Sequence, residues 1–411
     1  MRAFFIHCCF LTMLSSCSIL EIQDQVKIVE SAGVLTGKVK LLSPQKGPVI
    51  VARYHKDNGV YVIDSYTRAT SAGDYLFHVF PGTYFVAAYI DVNNDGEYQA
   101  DEEDANYYSV ELGKPAEIVV ESGKTVVNED LIIAGKPPAL TTKAKTKSAL
   151  IKAVKNVGAV ISLDDPVFSN ENYSMGMWRP IQFLEQVGGG LFFLQEYQHD
   201  KIPVLFIHGM GTGPVDWKQA IEKIDRHYFQ PWIVYYPTGL RLEMISNYLV
   251  NSIARLHGLY DFKKMYVAGH SMGGVVAHSF IKKFLATHPE LAESIDLLVT
   301  VNSPLNGMQS ASIGVENSPI VLPVWRDIAT GSDFIKELNE WWWPEDIPYH
   351  LVFSYQTGDS SDGTVPLQSQ IPMQLQTKVT RLYGFNNGHV GTLNNDSFLT
   401  LFNSILIQSL D

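Results

Sequence analysis

Met265-Tyr266-Val267-Ala268-Gly269-His270-Ser271-Met272-Gly273-Gly274-Val275-Val276-Ala277 decides how the larger part of this chain folds. The first four residues read as a short buried strand. From Gly273 to about His288 the apolar residues fall at helical spacing, which predicts a helix. A strand that turns sharply into a helix at a serine within Gly-x-Ser-x-Gly lifts the hydroxyl clear of the backbone, and the flanking glycines remove side chains that would clash. The N-terminus of the following helix favours negative charge developing beside that oxygen.

A serine of this kind needs a base and an orienting acid. In a strand–serine–helix architecture these follow as Asp or Glu and then His. Four histidines follow Ser271: His278, His288, His350 and His389. His278 and His288 fall on the predicted helix, too local to fold back. His350 opens the apolar strand Leu351-Val352-Phe353-Ser354-Tyr355. His389 lies in Phe385-Asn386-Asn387-Gly388-His389-Val390-Gly391, a Gly/Asn-rich loop suited to presenting an imidazole. The strand ending at Tyr355 runs into a loop with two acids, Asp359 and Asp362. An oxyanion site needs two backbone N–H donors, one from the residue after the serine, Met272, and one from the loop after an earlier strand. Ile202 to Ile207 is that strand and His208-Gly209-Met210-Gly211-Thr212-Gly213 the loop, with Met210 as donor and His208 as a brace.

These pieces, in this order, resemble the α/β-hydrolase superfamily, in its bacterial lipase/esterase-like branch, over Gly158 to Leu410. The resemblance implies a doubly wound, mostly parallel sheet with helices on both faces. The continuous apolar runs Trp232 to Tyr236 and Leu297 to Val301 fit strands covered on both sides. It also selects Asp362 over Asp359, because Asp362-Gly363-Thr364-Val365-Pro366 has the form of the acid loop in these hydrolases. It implies a Ser271–His389–Asp362 triad cleaving a carboxylic ester through an acyl-enzyme, with no cofactor. Two alternatives stay open: acyl transfer by the same triad, and a catalytically silent envelope binding lipoprotein. Ala153 to Gln195, ahead of the first clear strand, reads as an elaboration of the sheet.

The N-terminus carries an address. Arg2 is the only charge before Glu21, and Ala3 to Leu14 is an apolar run too short to span a bilayer and suited to a signal h-region. Leu14-Ser15-Ser16-Cys17 then resembles a bacterial lipobox, which implies removal of residues 1–16 and lipidation of Cys17. Of the three cysteines only Cys17 survives that cleavage, so a disulfide-stapled fold is excluded. Ser18 after Cys17 implies the outer membrane. The formal charge of −12 falls one unit further when Arg2 leaves. An acidic chain argues against nucleic acid and against an electrostatic grip on anionic lipid. The partners expected are an ester with an apolar acyl chain and, through the lipid, a membrane.

At 411 residues and 46% apolar the chain can bury two cores. Residues 17–30 read as a tether, 31–136 as a β-sandwich, 137–155 (Pro/Thr/Lys-rich) as a linker and 156–411 as the hydrolase domain. Eight short strands predict the sandwich: Val34 to Leu42, Val49 to Tyr54, Tyr61 to Tyr66, Tyr75 to Phe80, Thr83 to Ile90, Tyr107 to Glu111, Glu117 to Val120 and Val126 to Ile133. Their spacing suits an antiparallel arrangement. Gly73-Asp74-Tyr75-Leu76-Phe77 and Phe80-Pro81-Gly82-Thr83-Tyr84 resemble transthyretin-like, carboxypeptidase-regulatory-type sandwiches. One loop, Asp91-Val92-Asn93-Asn94-Asp95-Gly96 followed by Glu97 and Glu102, matches a calcium-loop template, although a strand precedes it. A structural calcium on Asp91, Asn93, Asp95, Glu97 and Glu102 is the metal expectation; an acidic turn without metal is the alternative. Residues 303–348, with Val321 to Trp325 and Trp341-Trp342-Trp343-Pro344, form either a lid or ordinary helices packed on the sheet.

Overall fold

The computed structural model describes residues 16–95, 98–99, 104–109, 114–135 and 156–410. The expected signal segment up to residue 15, the expected linker 137–155, the Cys17 side chain, and Glu97 and Glu102 lie outside the described residues.

The all-β part contains β1 (Gly33–Leu41), β2 (Val49–Asp57), β3 (Val60–Arg68), β4 (Asp74–Val79), β5 (Gly82–Ile90), β6 (Ala105–Tyr107), β7 (Ile118–Val120), β8 (Thr125–Val127) and β9 (Leu131–Ile133). One sheet runs β4-β1-β8 with β9 also on β1; the other runs β3-β2-β5-β6 with β7 also on β5. Strand β1 alternates buried and half-buried residues, so Leu35 and Val39 enter the core between the sheets with Val51, Phe77, Val86 and Ile118. The expected strand over Val126 to Ile133 is two strands, broken at Asn128-Glu129-Asp130. Both run parallel to β1, so the sandwich is not wholly antiparallel.

The second sheet has the order β10-β11-β13-β12-β14-β15-β16-β17: β10 (Ala159–Val160), β11 (Gly190–Phe193), β12 (Ile202–Ile207), β13 (Phe229–Tyr235), β14 (Met265–His270), β15 (Ile295–Val301), β16 (Tyr349–Tyr355) and β17 (Arg381–Asn386). All pairings from β13 to β17 are parallel, and β11 runs antiparallel to β13. This is the α/β-hydrolase fold, and the stretch ahead of β12 supplies its two reversed strands. In order, the helices are α1 (Ser16–Glu30), α2 (Asn170–Trp178), α3 (Pro180–Gln186), α4 (Lys218–Lys223), α5 (Leu242–Tyr260), α6 (Met272–Thr287), α7 (Gln309–Asn317), α8 (Pro323–Ile328), α9 (Asp333–Glu340), α10 (Leu367–Gln370), α11 (Met373–Gln376) and α12 (Asp396–Gln408).

Strand period two sorts the core. Leu205, Ile207, Met265 and Val267 face α5 and α6. Val204, Phe206, Tyr266 and Ala268 face α4 and α12. Between β15 and β16, α8 buries Val324 and the segment after α9 buries Trp343 in the core of the α5/α6 face, and Trp343 Nε1 donates to Ile347 O at 2.7 Å. Trp342 stays 67% exposed.

The expected tether over residues 17–30 is corrected: this stretch is helix α1, docked on the hydrolase domain. Ile22 and Val29 are buried in the α5/α6 core. Helix α3 begins at Pro180 and has no cap of its own; Gln25 Oε1 accepts from Ile181 N at 2.9 Å and Gln182 N at 3.1 Å, satisfying two orphan donors of its first turn. Glu30 lies 3.7 Å from Arg241 and 3.6 Å from Arg326. The missed signal is the stripe Ile22, Val26, Val29, one face of a helix.

Candidate active site

Ser271 sits at the turn from β14 into α6 with φ 54° and ψ −131°. For a non-glycine residue this backbone costs on the order of 1–3 kcal/mol, and neighbours hold it there. Ser271 N donates to Val301 O at 2.9 Å, and Gly274 N donates to Ser271 O at 3.0 Å. A Cβ at Gly273 would lie 2.2 Å from Ile207 O, so only glycine lets the helix start this close to β12. Gly209 packs against the serine: a Cβ there would meet Ser271 Cβ at 3.0 Å and Oγ at 3.4 Å. Met272 is the first residue of α6, so its N–H belongs to the unsatisfied helix start.

The structure brings His389 to Asp362. His389 Nδ1 donates to Asp362 Oδ2 at 2.7 Å, and His389 N donates to Asp362 O at 3.0 Å. The other carboxylate oxygen accepts from Thr364 N at 2.9 Å and Val365 N at 2.7 Å. The Asp362 side chain is fully buried and that of His389 is 12% exposed. Asp359 is exposed on the same loop. The remaining histidines lie elsewhere. His278 is buried against Trp341, Trp343 and Tyr349. His288 pairs with Glu290, and His350 stacks on Tyr383.

Two residues that hold His389 escaped the sequence reading. Asn302, at the end of β15 with φ 51°, donates from Nδ2 to His389 O at 2.7 Å and to Thr392 Oγ1 at 3.0 Å. His270 Nε2 donates to the same carbonyl at 3.2 Å. Burial, and the adjacent His389, lower the pKa of His270 to about 3, so it acts as a neutral donor.

The loop after β12 is braced from β13. Tyr236 Oη donates to His208 O at 2.6 Å, and its ring stacks on His208 at 4.2 Å. His208 Nδ1 donates to Gly209 O at 2.9 Å, while Nε2 accepts from Tyr236 N at 3.5 Å. Burial lowers its pKa to about 4. Gly211 N donates to Thr238 Oγ1 at 3.1 Å. Met210 lies between these fixed points, half-buried.

In the acidic loop of the sandwich, Asp95 N donates to Asp91 Oδ1 and Asn93 Oδ1, both at 3.1 Å, and Asn93 Nδ2 donates to Asp95 Oδ2 at 3.0 Å. Three of the five candidate calcium ligands thus take part in a turn closed by its own side chains. Among the described residues no three His, Cys, Asp or Glu side chains group as metal ligands, and no helix is long and apolar enough to cross a membrane.

A family model described as "Alpha/beta hydrolase of unknown function (DUF915)" matches residues 238–376. That interval holds the Ser271 turn and Asp362 but neither the 208–213 loop nor His389. Comparison with curated protein sequences returns no match. Similar solved structures include the mature form of the Bacillus licheniformis lipase BlEst2, 14% identical over 53% of this chain and 97% of that one, with TM-score 0.41. Est1E from Butyrivibrio proteoclasticus is 14% identical over 54% and 93%, TM-score 0.41. Aspergillus fumigatus lipase B is 15% identical over 53% and 55%, TM-score 0.41.

Proposed function

We propose that this chain is a lipid-anchored serine hydrolase that cleaves carboxylic esters through an acyl-enzyme. One observation carries the reading: a serine at φ 54° on a strand–helix turn lies at the same C-terminal end of the parallel strands as a histidine bonded at 2.7 Å to a buried aspartate. Ser271 Oγ attacks the ester carbonyl. His389, through Nε2, takes the hydroxyl proton and returns it to the leaving alcohol. Asp362 holds the Nδ1–H tautomer and stabilises the imidazolium without taking the proton. The amides of Met210 and Met272 receive the oxyanion. Water then attacks the acyl-enzyme with His389 as base, releasing the carboxylic acid. Labelling by a fluorophosphonate probe, lost in Ser271→Ala, tests the nucleophile, and turnover of p-nitrophenyl esters of graded chain length tests the class. Absence of labelling and of turnover together overturns it.

The anchor is a separate part of the proposal. It rests on Leu14-Ser15-Ser16-Cys17, and it places the enzyme in a bacterial outer membrane through acyl chains on Cys17, each methylene adding about 0.8 kcal/mol of membrane affinity. Mass spectrometry of the mature N-terminus decides it: an unmodified start at another residue removes the anchor and leaves the hydrolase.

A further inference from the structure

Strand β16 outlasts one of its neighbours. Strand β15 ends at Val301, opposite Val352, and Asn302 just beyond still donates from N to Val352 O at 2.9 Å. On the other side β17 continues to Asn386, opposite Tyr355. Ser354, fully buried, has no β15 residue opposite it. Its peptide groups pair instead with a side chain. Ser354 N donates to Gln370 Oε1 at 3.0 Å, and Gln370 Nε2 donates to Ser354 O at 3.0 Å. The carboxamide stands in for the missing strand, so neither peptide group of Ser354 is left orphaned in the interior.

Gln370 is itself fully buried, at the end of α10, and its amide nitrogen carries two hydrogens. The second one reaches the acid loop, where Nε2 donates to Val365 O at 2.8 Å. Val365 is a residue whose N–H, at 2.7 Å, holds Asp362 Oδ1. Its carbonyl also accepts from Asp362 N at 3.4 Å. The other carboxylate oxygen, Oδ2, is the one bonded to His389 Nδ1. A continuous run of hydrogen bonds therefore leads from the end of β16 through Gln370 and Val365 to Asp362 and His389.

We infer that Gln370 is a positioning residue of the proposed reaction: it fixes Val365 against the end of β16 and so sets the direction in which Asp362 presents its carboxylate to His389. The role in turnover rests on the hydrolase reading; the run of bonds does not. The acid stabilises the imidazolium that forms during turnover. A misdirected Asp362 therefore lowers kcat and leaves KM nearly unchanged.

Gln370→Met in the full chain keeps the length of the side chain and removes all three bonds. In protein that folds by circular dichroism, kcat for p-nitrophenyl acetate should fall about a hundredfold, the cost of a small misplacement away from the chemistry, with KM little changed. The far-downfield proton resonance of His389 Nδ1–H, identified by its loss in His389→Ala, should move upfield as the bond to Asp362 weakens. Gln370→Glu keeps the acceptor for Ser354 N and, while protonated, one donor. Its kcat relative to wild type should be highest at acid pH and fall as the pH rises, because the buried carboxyl then ionises beside two carbonyl oxygens. A folded Gln370→Met protein with wild-type kcat, a loss confined to KM or an unmoved resonance overturns the assignment, as does a Gln370→Glu profile parallel to that of wild type. Failure of both variants to fold also overturns it and leaves Gln370 a part of the core alone. A wild-type protein with no ester turnover overturns the hydrolase reading, while the resonance still reports whether Gln370 directs Asp362.

Discussion

At the scale of single residues, the proposed chemistry ranks its parts. Ser271→Ala and His389→Ala should each cost about 10⁶ in kcat, and Asp362→Asn about 10⁴, since the acid only orients and stabilises. Ester turnover at saturating substrate, beside unchanged denaturation midpoints, reads this order, and a larger loss from Asp359→Asn would reverse the acid assignment. Asn302 is a positioning residue. Asn302→Gly keeps the φ of 51° accessible but loses both donors, so kcat should fall about tenfold with KM little changed; retained kcat would show that Asn302 does not set the His389 loop. The serine, histidine and aspartate were legible because each falls in a short local pattern with its own turn chemistry. Asn302 and His270 were not, since their bonds to the His389 carbonyl span 87 and 119 residues and leave no local signature.

At the scale of elements, α1 is the part that sequence reasoning misjudged. Its apolar residues are few and interrupted by charge, and only the surface of α3 and α8 turns them into a buried face. Gln25 caps a helix more than 150 residues away, which no local rule anticipates. Gln25→Ala should therefore lower stability by about 1 kcal/mol, the usual worth of an N-terminal cap, measured by urea denaturation; no change would show that solvent caps α3 equally well. A chain beginning at Gly33 should lose more, because Ile22 and Val29 leave an uncovered apolar groove, while keeping turnover of short esters. The strands β12 to β16 were legible because both faces are covered and their sequences are continuously apolar. The break between β8 and β9 turns on three polar residues inside an otherwise alternating run.

The molecule as a whole carries a built-in acid sensitivity. His208, His270 and His278 are buried, and burial lowers their pKa to about 4, about 3 and about 3, against about 6.5 in an unfolded chain. Below that value the unfolded chain binds protons that the folded chain refuses. Stability is therefore full above about pH 6.5 and is lost as the pH falls, by up to about 1.4 kcal/mol per pH unit for each group. Urea midpoints should drop between pH 7.5 and pH 5, and His278→Leu, which removes a ring with no hydrogen-bond partner among the described residues, should flatten that slope by one proton's worth. An identical slope would clear His278 of the effect. The docking of α1 has a spatial consequence for the proposed anchor. As loose chain, residues 17–30 would reach roughly 45–50 Å from a bilayer at about 3.3–3.6 Å per residue. As a helix, Ser16–Glu30 measures about 22 Å and is fastened along the hydrolase surface. Under the proposed anchor, a helix fastened in this way would keep the enzyme closer to the lipid than a loose leash, and esters presented at the membrane surface would be within its reach.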